Sequence, residues 1–280
     1  MTETTAERIL IWRPGRGLTA VEGEPPGGDR LLAADSWLVR DGRVRGLARH
    51  RERFRCACAV LGGPSAGQLD EFWRSMTDAL PRTGAWFPRV ELVPAPAAPR
   101  LRLRLRVAPA LASRVRVWAA GQLDPRTVPR RKGPDLDALA GIRRRASVSG
   151  QGAEEAVLTT PSGVVLEAAN SSVLWWEEET LCLPSPQLPV LAGVTAGFIL
   201  ERAGRSGIRI VHRARFLEEL DGREVWLVNA LHGIRPVTGW TGTRTGEEIR
   251  AGRPMRAGPA PHAAEWQKWL DDIAEPLQTG

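Results

Sequence analysis

The sequence predicts an α/β protein of two domains, and three observations predict it. The 280 residues, 42% of them hydrophobic, can bury one large core or two ordinary ones, because domains cluster near roughly 100 to 150 residues. Strand-like and helix-like segments alternate along the chain. The stretch Gly121 to Pro134, with Pro125, Pro129 and Pro134 and little apolar periodicity, interrupts them as a linker would. These place an N-terminal α/β domain at 1–120, a linker at 121–134 and a C-terminal α/β domain at 135–280.

Residues 9 to 46 read as short strands and turns, with a Pro and Gly loop at Glu24 to Gly28. His50 to Leu61 is a helix stopped by Gly62, Gly63 and Pro64, and Leu69 to Met76 opens another. Val90 to Val93, Leu101 to Val107 and Arg114 to Ala119 are strand candidates. In the second of these, Arg100, Arg102, Arg104 and Arg106 alternate with Leu101, Leu103 and Leu105, the period of a strand with one apolar and one arginine face. Such a face lines a site for a carboxylate-rich ligand or is simply half-exposed. Asp135 to about Ser147 is a helix. Ala156 to Thr160, Gly163 to Glu167 and Val173 to Trp176 are short strands, the first two joined by a Pro161-Ser162-Gly163 turn. Thr195 to Ala203 is helical, Arg209 to His212 a strand, Phe216 to Leu220 a helical turn and Glu224 to Val228 a strand; Glu265 to Trp269 has a C-terminal helix pattern.

Composition excludes several classes. No apolar run nears the roughly 18 residues of a membrane span, and Met1 to Gly28 lacks the basic start and apolar stretch of a signal peptide, so a cytoplasmic protein with no membrane partner is expected. Cys56, Cys58 and Cys182 are odd in number and lack metal spacing, which predicts reduced, buried or semi-buried thiols. His50, His212, His232 and His262 are too scattered for a metal cluster. Gly63-Pro64-Ser65-Ala66-Gly67 fits a nucleophile-elbow string, but a helix rather than a strand precedes it. Neither phosphate-loop nor dinucleotide glycine motifs occur in context. The net charge of +7 admits an anionic partner, and an arginine-rich nucleic-acid-binding protein is the non-enzyme alternative. The charge is spread, however, and the Arg143 to Arg145 run lies among Leu139, Ile142 and Ala146 at helical spacing, a solvated face.

The most informative feature is scarcity: two lysines, Lys132 and Lys268, stand against 37 arginines. An ammonium can lose its proton and become a nucleophile or condense with an aldehyde, whereas a guanidinium stays charged. Lys268 reads as solvated. Lys132 is either a reactive amine or a leftover surface residue beside Arg130 and Arg131. Leu191 to Thr195 ends a loop and opens a helix, and the first helix amides form either an anion site or a plain threonine-capped start.

Five segments, in order, resemble the fold-type IV pyridoxal phosphate enzymes, the class IV aminotransferase family that includes branched-chain and D-amino acid aminotransferases and 4-amino-4-deoxychorismate lyase. His50-Arg51-Glu52-Arg53-Phe54 is similar to the family's H-x-x-R helix, and Lys132-Gly133-Pro134-Asp135-Leu136 to the Schiff-base lysine segment. Gly163-Val164-Val165-Leu166-Glu167 resembles the strand whose glutamate contacts the pyridine nitrogen, and Gly193-Val194-Thr195 the phosphate-binding helix start. Val228-Asn229-Ala230-Leu231, followed by Pro236-Val237, resembles the last phosphate loop, in a form closest to the lyase branch.

The resemblance implies a two-domain fold with pyridoxal 5'-phosphate at the domain interface, and a homodimer. It implies that Lys132 is catalytic, that Arg53 and the amides of Val194 and Thr195 take the phosphate, and that Glu167 favours a protonated ring. Gly193, Asn229, Ala230 and Leu231 complete the implied cofactor set, while Trp37, Arg104 and Arg106 are the expected substrate wall. Two stretches depart from the family pattern: Ala33-Ala34-Asp35-Ser36-Trp37-Leu38-Val39 stands where a G-D-G-x-F-E strand is usual, and Ala169 to Leu174 has serine where asparagine is common. The expected reaction is elimination from 4-amino-4-deoxychorismate to p-aminobenzoate and pyruvate, with transfer of an amino group to a 2-oxo acid as the alternative. The expected substrate is a small amino acid or amino-carboxylate, not nucleic acid.

Overall fold

The computed structural model describes residues 7–21, 30–242 and 255–278. The chain divides into two compact units: the first takes in the described residues of Met1–Leu111, Arg131–Pro134 and Ile273–Gly280, the second Ala112–Arg130 and Asp135–Asp272. The expected boundary at 120/121 falls inside a strand, and the four residues around Lys132 group with the first unit. The loop expected at Glu24 to Gly28 lies outside the described residues.

The first unit contains β1 (Arg8–Arg13), β2 (Gly17–Ala20), β3 (Ala33–Ser36), β4 (Val39–Arg40), β5 (Arg43–Val44), α1 (Leu47–Val60), α2 (Ala66–Ala79), β6 (Ala85–Trp86), β7 (Arg89–Val93) and β8 (Arg100–Leu105). Strands β2-β1-β8-β7-β3 form an antiparallel sheet; a small second sheet joins β5, β4 and β6 to the C-terminal strand Glu275–Pro276. Helix α1 starts three residues before the expected position, straight after Gly46 in the left-handed region at φ 61°. It buries His50, Phe54 and Cys58, four residues apart and so on one face. Ser65, of the would-be nucleophile string, caps α2 in a reciprocal pair with Gln68. Cys56 is exposed, unlike the buried Cys58 and Cys182, so the expectation of three shielded thiols is corrected at that position.

The arginine face of β8 grades from the exposed Arg100 through the buried Arg102 to the part-buried Arg104. Glu91 on β7 is fully buried directly opposite Arg102, which bonds it; Arg89 and Arg104 also reach it, at 2.6 and 3.1 Å. Burial alone would raise the Glu91 carboxyl, but the guanidiniums of Arg89, Arg102 and Arg104 together bring it below its usual value. A carboxylate this deep needs such partners, and they need it.

The second unit contains β9 (Val115–Leu123), α3 (Leu136–Ser149), β10 (Glu155–Thr159), β11 (Val165–Ala168), β12 (Ser172–Glu177), β13 (Thr180–Pro184), α4 (Val194–Arg205), β14 (Arg209–Arg213), β15 (Val225–Asn229), β16 (Gly233–Thr241) and α5 (Ala263–Asp272). Its eight strands run β11-β10-β9-β16-β15-β12-β13-β14 in one mixed sheet, with β9 parallel to both β10 and β16. The hairpin expected at Pro161 to Gly163 joins β10 to β11. Arg143, Arg144 and Arg145 are exposed on α3, and Lys268 is exposed on α5. Among the described residues no helix is long and apolar enough to cross a membrane, and no group of metal-ligating side chains assembles.

Candidate active site

Lys132 sits in a short segment fastened to β3 by its own carbonyl, which accepts the Ala34 amide at 2.8 Å. The next residue, Gly133, has φ 133°, and a Cβ there would lie 2.7 Å from the Ala33 carbonyl carbon and the Ala34 nitrogen. Both obstacles are backbone and cannot rotate away. Gly133→Ala is therefore expected to destabilise the fold by on the order of 3 kcal/mol and to misplace Lys132. Urea unfolding and the rate of covalent labelling of Lys132 check this, and an alanine variant that labels like wild type would refute it.

One carboxylate organises this site. Asp35, on β3 and completely buried, bonds Arg53 through two parallel contacts, Nε to Oδ2 and Nη2 to Oδ1, both 2.8 Å. It also accepts from its neighbour's amide, Ser36, and faces His50 Nδ1, each at 2.8 Å. His50 and Arg53 lie one turn apart on α1, so both reach β3 from the same face. Burial opposes the Asp35 charge, but Arg53 and then His50 hold its carboxyl well below the usual range. Burial lowers the His50 imidazole despite Asp35, which fits a neutral ring donating from Nδ1.

Lys132 is the outcome of this electrostatic setting. Burial first, then the Arg53 guanidinium, push its ammonium down to about 8; Asp35 opposes this, while Arg106 and Arg89 add to it. A lysine at that value supplies far more free amine near neutral pH than one at 10.5. The two expected substrate arginines part company here. Arg104 is committed to Glu91 and, at 2.9 Å, to Glu7. Arg106 donates to the Phe87 carbonyl at 2.8 Å and lies 4.9 Å over the Phe87 ring, with no carboxylate bonded to it among the described residues. Burial and the neighbouring Arg89 push it down to about 10. Trp37 is corrected outright: it is 1% exposed, stacks on Trp73 at 5.3 Å and belongs to the core of the first unit, not to a substrate wall.

In the second unit, Glu167 lies on β11 with Oε1 accepting the Leu191 amide at 3.0 Å and an N–H of Arg126. Burial raises its carboxyl to about 7 against the pull of Arg126 and that amide. Helix α4 opens at Gly193 with no side-chain cap, so the Thr195 cap weighed from the sequence is not formed. The amides of Val194 and Thr195 have no intrahelical acceptors. A Cβ on Gly193 would come within 2.6 Å of Ser172 Oγ, so the glycine lets the turn close against β12. Asn229 is a scaffold rather than a ligand: Oδ1 accepts the amides of Leu231 and His232 at 3.0 and 2.8 Å, and Nδ2 donates to Ser171 Oγ at 3.0 Å. Its side chain and the Leu231 amide are thereby engaged within the loop.

The first unit holds a depressed lysine amine and a held guanidinium, and the second an uncapped helix start and a buried carboxylate; these are the chemical types that an aldehyde-bearing phosphate with a basic ring nitrogen calls for. The chain matches the family described as amino-transferase class IV over residues 32–240, most of its length, and belongs to that family. It is a pyridoxal-phosphate-dependent enzyme. An aminodeoxychorismate lyase from Vibrio harveyi is 29% identical over 99 residues; that stretch is 35% of this chain and 36% of the relative, so the chain spans about a third of this curated relative's length. Among solved structures, a hypothetical aminotransferase from Mycobacterium tuberculosis in its PLP-bound form is similar at a TM-score of 0.75 and 19% identity, covering 96% of this chain and 98% of that one. The branched-chain amino acid aminotransferase from Escherichia coli is similar at a TM-score of 0.74 and 15% identity, covering 98% and 99%. At these identities the likeness is one of fold.

Proposed function

We propose that this enzyme binds pyridoxal phosphate covalently through Lys132 and releases pyruvate from 4-amino-4-deoxychorismate. The observation that carries the reading is the placement of Lys132, pinned through its carbonyl to the Ala34 amide, one residue from the Asp35 that holds Arg53. Arg53 and the amides of Val194 and Thr195 take the phosphate, with Gly193 and the Asn229-Ala230-Leu231 loop shaping its surroundings, and Glu167 takes the ring nitrogen. Bound there, the cofactor supplies a sink for the electron pair left when a bond breaks at the carbon bearing the substrate's amino group. Lys132 Nζ, displaced by that amino group, takes the proton from this carbon. In the lyase reaction the pair left by that proton would form the new ring double bond, the neighbouring C–O bond would break with its electrons going to the departing enolpyruvate, and the ring would become aromatic; the enolate gains one proton to become pyruvate, which balances the one taken up by Lys132.

The cations about Lys132 support a substrate with more than one carboxylate. Arg106 is desolvated and bonds no carboxylate among the described residues, so a substrate carboxylate is a natural counter-ion. Arg106→Ala is expected to reduce kcat/KM roughly ten- to a hundred-fold, the worth of one charge-assisted bond. We further propose a cytoplasmic homodimer. The deciding experiment mixes purified enzyme with 4-amino-4-deoxychorismate and measures pyruvate and p-aminobenzoate without any 2-oxo acid; equal release of both is expected. Turnover of ordinary L- or D-amino acids that requires an added 2-oxo acid would replace the lyase reading with an aminotransferase.

A further inference from the structure

We infer that Arg126 is a positioning residue for Glu167, holding it by Oε1 so that Oε2 is presented to the ring nitrogen, and thereby setting where the proton between carboxylate and ring resides. This rests on the cofactor reading above. A guanidinium has five N–H donors, and all five of Arg126 are used. Nε and Nη2 reach the two oxygens of Asp124 at 2.8 and 2.7 Å; Nη1 reaches the Pro129 carbonyl at 3.2 Å and Glu167 Oε1; Nη2 also reaches the Pro189 carbonyl at 3.1 Å. The side chain is 6% exposed.

Two points separate this from ordinary loop packing. Asp124 alone already neutralises Arg126, so Glu167 is a second carboxylate on one guanidinium, and its ionised form leaves the largely shielded trio with a surplus negative charge, in line with a carboxyl raised to about 7. Oε1 carries both contacts described for Glu167, the Arg126 N–H and the Leu191 amide, while Oε2 bonds no group among the described residues. A surplus charge with one free oxygen suits a protonated ring nitrogen as the missing cation. The charged groups acting on Glu167 are Arg126, which favours its ionised form, and Asp124, which disfavours it; both lie at the end of β9.

The test uses the opposed signs of those two neighbours. In cofactor-free protein labelled with 13C at glutamate side chains, Arg126→Gln should raise the Glu167 midpoint by about one unit or more, and Asp124→Asn should lower it. With 15N-labelled pyridoxal phosphate, the ring-nitrogen signal of Arg126→Gln should move toward the unprotonated form while borohydride still fixes the label on Lys132. Arg126→Lys should restore part of the shift, and in a Glu167→Gln background Arg126→Gln should have no further effect on the signal. An unmoved midpoint, or shifts of the same sign in both variants together with lost secondary structure, overturns the inference and leaves Arg126 a loop prop. Failure of the wild-type protein to take up the cofactor would instead overturn the proposed function itself.

Discussion

Replacing Lys132 with methionine is expected to abolish turnover and, at neutral pH, to make the protein more stable. The activity loss should exceed about 10⁴-fold, since general base and covalent anchor go together. The gain in stability follows from the direction of the shift. Folding lowers the Lys132 ammonium from 10.5 to about 8, so below pH 8 the folded state carries a charge it disfavours while the unfolded state carries the same charge freely. The full interval corresponds to roughly 3 kcal/mol, of which partial exposure leaves about 1 to 2. Wild type should recover this as pH rises from 8 to 10.5, where the unfolded chain binds the extra proton. Urea midpoints of the two proteins should therefore differ at pH 7 and converge by about pH 10.5. A methionine variant less stable than wild type at pH 7 would mean that the ammonium is not strained by its setting. A more stable methionine variant without activity would mark a position where function is held against stability.

Lys132 was legible because the composition isolates it: where almost every cation is arginine, a lysine needs a reason. Most helices and strands were legible for the ordinary reason that apolar period survives in sequence, and α1 was displaced only because Gly46 starts it without a capping side chain. Strand β16 was hidden by Gly233, Pro236 and Gly239, which look like loop. It forms because β15 and β9 flank it, and Pro236, which has no N–H to give, lies opposite Trp226 of β15 and just before the pairing with β9 begins at Val237. The site residues that went unseen share a different cause. Asp35 stood in a stretch noted only as a departure from pattern, and its partners are 15 and 18 residues away, joined to it by the packing of α1 on β3. Arg126 is one arginine among 37, lying between Pro125 and Pro129; only the fold shows five acceptors converging on it. Trp37 misled for the converse reason, since an aromatic side chain beside a site in sequence can point into the core.

Asp35→Asn should cost as much stability as Gly133→Ala. The substitution keeps the shape and removes the charge, leaving Arg53 without its contact to Asp35 and Lys132 without the main anion that supports its protonation. Breaking a buried ion pair in this way costs on the order of 3 kcal/mol, a fall in Tm of roughly 5 °C for a chain of this size. The pH dependence gives the loss a signature. Because folding depresses the Asp35 carboxyl, its contribution is complete above the ordinary carboxylate value of roughly 3.9 and disappears as pH falls through the depressed folded value. The gap between wild type and variant should hence be constant from neutral pH to about pH 5 and close in acid. At the other end, loss of the anion should carry the Lys132 amine below 8, so borohydride-trapped loading with pyridoxal phosphate should reach its half-maximum at lower pH, while Arg53, no longer oriented, should bind the phosphate more weakly. A gap that persists unchanged into strong acid, with the loading profile unmoved, would reduce Asp35 to a spacer between α1 and β3 and place the control of Lys132 in burial alone.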